Sequence, residues 1–129
     1  MTKQAFYITT PIYYVNGEPH IGTAYTTMAC DCMARWQRMD GRDVMFLTGL
    51  DEHGQKVAEA AAEHDMTPQA WCDYQTPQFT NMWKELQITN DDFIRTTQQR
   101  HMEGVAQFMQ KLYDNGYLYK GSYDGYYCT

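Results

Sequence analysis

Apolar and polar positions follow two different periods along this chain, and the changes of period mark its elements. The run 6–10, Phe-Tyr-Ile-Thr-Thr, is aromatic and β-branched and predicts a strand. Pro11, Asn16-Gly17 and Pro19 then punctuate a stretch that must turn sharply. From Ile21 the apolar residues recur at Tyr25, Met28, Cys32, Trp36 and Met39, the spacing of one helix face, so a helix is expected to open at His20. Asp40-Gly41 should end it, with Arg35 and Arg38 near the negative end of its dipole. Residues 44–47, Val-Met-Phe-Leu, form a continuous apolar run, as expected of a strand covered on both faces. Strand, helix, strand in this order predicts a right-handed βαβ unit.

The second half continues the same alternation. Residues 54–64 are Ala-rich and predict a short helix, and Thr67-Pro68 reads as a helix entry with Thr as cap and Pro in the first turn. Trp71, Tyr74, Phe79, Met82, Trp83 and Leu86 keep helical spacing, with Pro77 predicting a kink or two consecutive helices. Residues 93–96 read as a third strand, and Thr96 with Gln99 as a capping box. Met102, Val105, Phe108, Met109 and Leu112 supply the buried face of the helix that follows, which Gly116 ends. After Gly116 the chain turns aromatic, alternating and Gly-broken, which predicts a hairpin over 117–128. The fold class expected is α/β: a parallel sheet with flanking helices. Trp36, Trp71 and Trp83 are read as core, and His64 and His101 as ordinary surface or packing residues. Asp91-Asp92 is read as a cap or turn.

The chemistry gathers where two strands end. Ligands of open parallel sheets bind beyond the carboxyl ends of the strands. The stretch 11–22 follows the first strand and Asp-Glu-His-Gly at 51–54 follows the second, so both should open onto one crevice. His20 and Gly22 stand at a helix start, where backbone amides and the dipole favour a phosphate and a Gly lets a flat base come close. Asp51 can pair with an ammonium group or cap the helix that follows, and the two roles are compatible. Glu52 and His53 read as cap and surface groups.

Composition narrows the setting. A chain of 129 residues is one small domain or part of a larger one, and its 43% hydrophobic content can bury a core. No apolar run approaches the roughly 20 residues that span a bilayer. Met1-Thr2-Lys3-Gln4 runs straight into the first strand and leaves no room for a signal peptide, so the expected compartment is the cytoplasm. A net charge of −6 argues against this segment being the main grip on a nucleic acid. Cys30, Cys32 and Cys72 are expected as reduced thiols.

Residues 19–27, Pro-His-Ile-Gly-Thr-Ala-Tyr-Thr-Thr, resemble the first signature of the class I aminoacyl-tRNA synthetases, His-Ile-Gly-His. The flanking stretches 9–17 (Thr-Thr-Pro-Ile-Tyr-Tyr-Val-Asn-Gly) and 46–54 (Phe-Leu-Thr-Gly-Leu-Asp-Glu-His-Gly) narrow the resemblance to the methionyl-tRNA synthetases, from about Phe6 to the last residue. Two departures stand out. Thr23 replaces the second His, and Leu50 the commoner Thr.

The resemblance implies a Rossmann-like catalytic domain, with its first half over 1–116 and the start of an inserted connective domain over 117–129. It implies ATP-dependent activation of methionine, with Mg2+ accompanying ATP, and transfer to tRNA(Met). His20 and Thr23 would be catalytic, and His20, Gly22 and Thr23 would bind ATP. Ile12 and Tyr14 would line the methionine side chain, and Asp51 would hold its ammonium group. Cys128 would be the first ligand of a zinc knuckle that this segment cannot complete alone. The family's Lys-Met-Ser-Lys-Ser loop is not in the sequence, so the segment is expected to be inactive by itself and to contribute little tRNA grip. Three alternatives remain: a class I synthetase for another apolar amino acid, a small nucleotidyltransferase, and a non-catalytic binding module.

Overall fold

The computed structural model describes residues 3–126. Its elements are β1 (Ala5–Tyr14), α1 (Ile21–Met39), β2 (Asp43–Asp51), α2 (Gln55–Glu63), α3 (Pro68–Glu85), β3 (Asp92–Arg95) and α4 (Gln99–Asp114). The strands form a parallel sheet in the order β1-β2-β3. Parallel neighbours need crossovers, which α1 supplies between β1 and β2, and α2 with α3 between β2 and β3. The chain divides into two compact units, Met1–Gln98 and Gln99–Thr129.

β1 runs on through Tyr14 instead of stopping at Thr10. Pro11 is tolerated because the ladder to β2 shifts register between Thr9 and Ile12, where no N–H is asked of it. β2 is the central strand, with Phe46, Thr48, Gly49 and Leu50 buried. Gly49 is required by close approach, because a Cβ there would lie 2.2 Å from the Ile94 carbonyl oxygen of β3.

α1 has the expected bounds but not the expected buried face. Ile21, Tyr25, Trp36 and Met39 are exposed, Trp36 by 67%. Thr23, Thr27, Asp31 and Ala34 are buried instead. Small and short polar side chains let the helix approach the sheet closely, and the polar atoms of Thr27 and Asp31 are satisfied across the interface. Thr27 Oγ1 pairs with the Tyr13 hydroxyl at 2.8 Å. Asp31 accepts from the Thr89 N–H at 2.7 Å, the Thr89 hydroxyl at 2.6 Å and Arg35 Nε at 2.6 Å. Burial works against the Asp31 carboxylate, but the Thr89 and Arg35 bonds prevail and hold its pKa below the usual range. Beside it, Arg38 bonds Thr89 and pairs with Asp91 at 2.7 Å, and Asp91 also accepts from the Phe46 N–H at 2.7 Å.

α3 is one helix through Pro77, not two. Trp71 and Cys72 before the proline and Phe79 and Trp83 after it pack into one core with Val15, Leu50 and Val57. Burial on both sides outweighs the one backbone bond that Pro77 forfeits. Thr67 caps the helix as expected, accepting from the Ala70 N–H at 3.2 Å.

In the second unit, α4 is amphipathic, but Met102, Val105, Phe108 and Met109 are exposed rather than buried. The expected hairpin is absent over residues 117–126, which form no strand. A lone hairpin is marginal in water without a surface to pack on. Cys128 lies outside the described residues. α4 begins at Gln99, so Thr96 is not in its cap position, and the Thr96 hydroxyl serves the exit of β2 instead.

Two stability experiments on the full gene product follow. Gly49→Ala should cost about 3 kcal/mol in urea unfolding, the upper end for an overpacked site, because backbone atoms of β3 must move. An unchanged midpoint would refute the close β2–β3 approach. Asp31→Asn should lower the melting temperature most above about pH 4, the ordinary unfolded carboxylate pKa. A depressed native pKa contributes stability that is present above the unfolded value and lost as pH falls through the native one. The gap between parent and variant should therefore close on acidification, and a constant gap would contradict the assignment.

Candidate active site

The connection after β1 is anchored from below. The Trp71 indole N–H donates to the Val15 carbonyl at 2.6 Å, fixing where the chain leaves the strand. Two hollows adjoin there, sharing Tyr14 and Asn16 as a common wall. The first, about 530 Å³, is bounded by Ile12, His20, Gly22 and Thr23. The second, about 770 Å³, is bounded by Asp51, His53, Gly54 and Lys56. Both signature stretches thus border adjoining hollows at the carboxyl ends of β1 and β2.

His20 is the N-cap of α1, an unusual residue for that position. Its Nδ1 accepts the Gly22 N–H at 3.0 Å, which requires Nδ1 to be unprotonated and puts the hydrogen on Nε2 of the neutral ring. The helix-entry bond to backbone and a donor role for the ring are therefore compatible. Gly22 makes the cap possible, because a Cβ there would lie 2.9 Å from His20 Cε1. Thr23 also borders the first hollow, but it is only 5% exposed and lies on the buried side of α1.

The register of the ladder sets the other residues. Tyr14 stands opposite Asp51, and Ile12 opposite Gly49. Ile12 and Tyr14 are not core residues, being 40% and 64% exposed. Alternation turns Tyr13 the other way, onto Phe79 at a ring separation of 6.5 Å. Burial raises the Tyr13 pKa, so its hydroxyl stays protonated for the Thr27 bond. Asp51 does not cap α2, whose N-cap is Gly54 with no side-chain bond. It accepts instead from the His53 N–H at a long 3.4 Å.

Glu52 is the residue that sequence reasoning missed. It is buried, not a cap or surface group. One carboxylate oxygen accepts from Arg95 Nε at 2.6 Å and the other from the Thr97 hydroxyl. Arg95 reaches on to Asp73 of α3 at 2.5 Å. Burial disfavours the Arg95 charge, but its bonds to Glu52 and Asp73 prevail and raise its pKa. The Arg95 bond likewise lowers the pKa of Asp73. Thr96 Oγ1 accepts the Glu52 N–H at 2.9 Å and pairs with His53 Nδ1 at 3.0 Å. Burial, with the Glu52 charge adding to it, pushes the Cys72 thiol up to about 11, and the thiol donates to the Glu52 carbonyl. A sequence signal existed only in hindsight: a Glu between two site residues, and an Arg at a strand end.

Among the described residues no cluster of three or more His, Cys, Asp or Glu side chains is placed to hold a metal ion. No helix among them is long and apolar enough to cross a membrane.

Known proteins resemble this chain in sequence and fold. The family model for tRNA synthetases class I (M) matches residues 6–129. A methionine–tRNA ligase of Thermotoga maritima is 58% identical over 124 residues, covering 96% of this chain and 20% of the relative. One from Streptomyces coelicolor is 54% identical over 127 residues, covering 98% of this chain and 24% of the relative. The solved Mycobacterium tuberculosis methionyl-tRNA synthetase, in complex with methionyl-adenylate, superposes with a TM-score of 0.85 at 42% identity. That match covers 88% of this chain and 22% of the other. The chain thus spans about a quarter or less of the length of these relatives, and its α/β sheet is part of a Rossmann-like class I catalytic domain. On the strength of a family match over nearly its whole length, the chain belongs to the class I tRNA synthetases, in their methionine group.

Proposed function

We propose that the full gene product carrying this chain is a methionyl-tRNA synthetase, and that residues 1–116 form the first half of its catalytic domain. Residues 117–129 would begin the connective insertion. The observation that carries the reading is the pairing of Tyr14 with Asp51 across the ladder, beside a helix N-terminus capped by His20. An apolar and aromatic wall, a carboxylate and a phosphate-favouring helix start are the three contacts that methionine and ATP together require.

In this reading a methionine carboxylate oxygen attacks the α-phosphorus of ATP. The new O–P bond forms as the α–β phosphoanhydride breaks, and pyrophosphate leaves. A terminal ribose hydroxyl of tRNA(Met) then attacks the carbonyl carbon of the adenylate and releases AMP. Neither step needs an enzyme nucleophile, so positioning and charge stabilisation carry the rate. Asp51 holds the ammonium group, which orients the carboxylate. Ile12 and Tyr14 enclose the thioether, whose polarisable sulfur suits an aromatic edge.

His20 Nε2–H donates to a phosphate oxygen while Nδ1 keeps the helix cap. Gly22 leaves its backbone open to the adenine, and the Thr23 hydroxyl supplies one neutral donor where the family usually has an imidazole. Mg2+ enters with the triphosphate as part of the substrate. The acidic balance of this segment, −6, leaves most of the tRNA to be held elsewhere in the protein. A zinc ligand role for Cys128 belongs to the same reading, as does a cytoplasmic location.

ATP–pyrophosphate exchange by the full gene product tests this. Exchange should depend on methionine, fall on the order of a hundredfold or more in kcat for His20→Ala, and show a methionine KM raised on the order of a hundredfold for Asp51→Ala. Exchange with a different amino acid would overturn the methionine assignment. No exchange with any amino acid would overturn the enzyme reading.

A further inference from the structure

We propose that Glu52 is a positioning residue for the ammonium site: its buried carboxylate ties the exit of β2 to the end of β3 and so immobilises the backbone beside Asp51. This rests on the reading of Asp51 given above and deepens it.

Every polar atom of Glu52 is engaged, and the partners come from two separate segments. The N–H is held by Thr96, the carbonyl by the Cys72 thiol of α3, and the two carboxylate oxygens by Arg95 and Thr97. The Glu52 side chain is 0% exposed. A buried ion pair is weak evidence for stability, since an apolar pair of similar volume often does as well. Burying a carboxylate directly after Asp51 is better explained by what it fixes. With its amide and carbonyl both tied, residue 52 cannot rotate, and the Asp51 side chain projects from a rigid point toward the second hollow. Geometry at a reacting centre tolerates only small fractions of an ångström before binding suffers.

The carboxylate makes the tie across the sheet. Arg95 lies opposite Leu50 in the β2–β3 ladder, on the face that Glu52 shares and Asp51 does not. Glu52 and Asp73 hold it on two sides, at 2.6 Å and 2.5 Å. Removing the Glu52 charge breaks that tie and loosens the backbone from which Asp51 projects. The loss should fall on the amino group of methionine, not on its thioether or on ATP.

The experiment compares methionine with 4-(methylthio)butanoic acid, which lacks only the α-amino group, in pyrophosphate exchange by the full gene product. In Glu52→Gln the methionine KM should rise about tenfold, while inhibition by the amine-free acid and the KM for ATP stay within about twofold of the parent. Thr97→Val, which keeps the charge and removes one bond, should shift the same ratio by about threefold. If Glu52→Gln does not fold by circular dichroism, Thr97→Val decides by that ratio. A folded variant with an unchanged methionine KM overturns the proposal. So does parallel weakening of methionine and the amine-free acid, which would mark a purely structural role. Absence of methionine-dependent exchange in the unsubstituted protein would instead refute the reading of Asp51, and this role with it.

Discussion

The parallel register of β1 on β2 is the constraint on which the site depends. It sets Tyr14 opposite Asp51 and turns both chain ends out of the same edge of the sheet. The register is held against error from both sides of β2. Pro11 sits where the β1 ladder skips, and Gly49 admits the Ile94 carbonyl of β3 at a distance no side chain would allow. A slip of one residue would turn Tyr14 inward and Tyr13 outward, exchanging a cleft wall for a core ring.

Around that ladder the helices are attached by polar as much as by apolar contacts. Asp31 of α1 binds both the amide and hydroxyl of Thr89, Arg38 binds Asp91, and Asp91 binds the amide of Phe46. Trp71 of α3 holds the exit of β1 through the Val15 carbonyl. Such bonds contribute modestly to net stability, but leaving any of them unmade in a buried place is costly. They favour one arrangement over near neighbours, which is what a site assembled from two loops needs.

Much of the fold was legible in the residues. Thr67-Pro68 and His20 announced helix starts that the structure keeps, and the βαβ order followed from an apolar run, a helical spacing and a second apolar run. The buried face of α1 was not legible, because the larger apolar residues drew the eye while Thr23, Thr27, Asp31 and Ala34 face the sheet. A helix pressed close to a sheet selects for small size and satisfied polarity, which hydrophobic periodicity does not register. Glu52 was misread for a related reason. Its partners lie 43 and 45 residues away in sequence, so nothing local distinguishes it from an exposed acid. The hairpin expected after Gly116 does not form over the described residues 117–126, because alternation alone does not make a strand without a surface to cover. At the site, the opening of the stretches 11–22 and 51–54 onto neighbouring hollows followed from topology, whereas Ile12 and Tyr14 were singled out by the family resemblance alone. The capping bond of His20 and the steric need for Gly22 required coordinates.

The central claim is that the two adjoining hollows receive the ammonium of methionine at Asp51 and the α-phosphate at His20. Its most direct test is a crystal structure of the full gene product with methionyl sulfamoyl adenosine, whose sulfamoyl group stands in for the adenylate phosphate. The expected result is an ammonium nitrogen at hydrogen-bond distance, about 2.7–3.2 Å, from the Asp51 carboxylate, and His20 Nε2 at similar distance from a sulfamoyl oxygen. A ligand bound away from both residues, or bound with its two ends exchanged, would contradict the account.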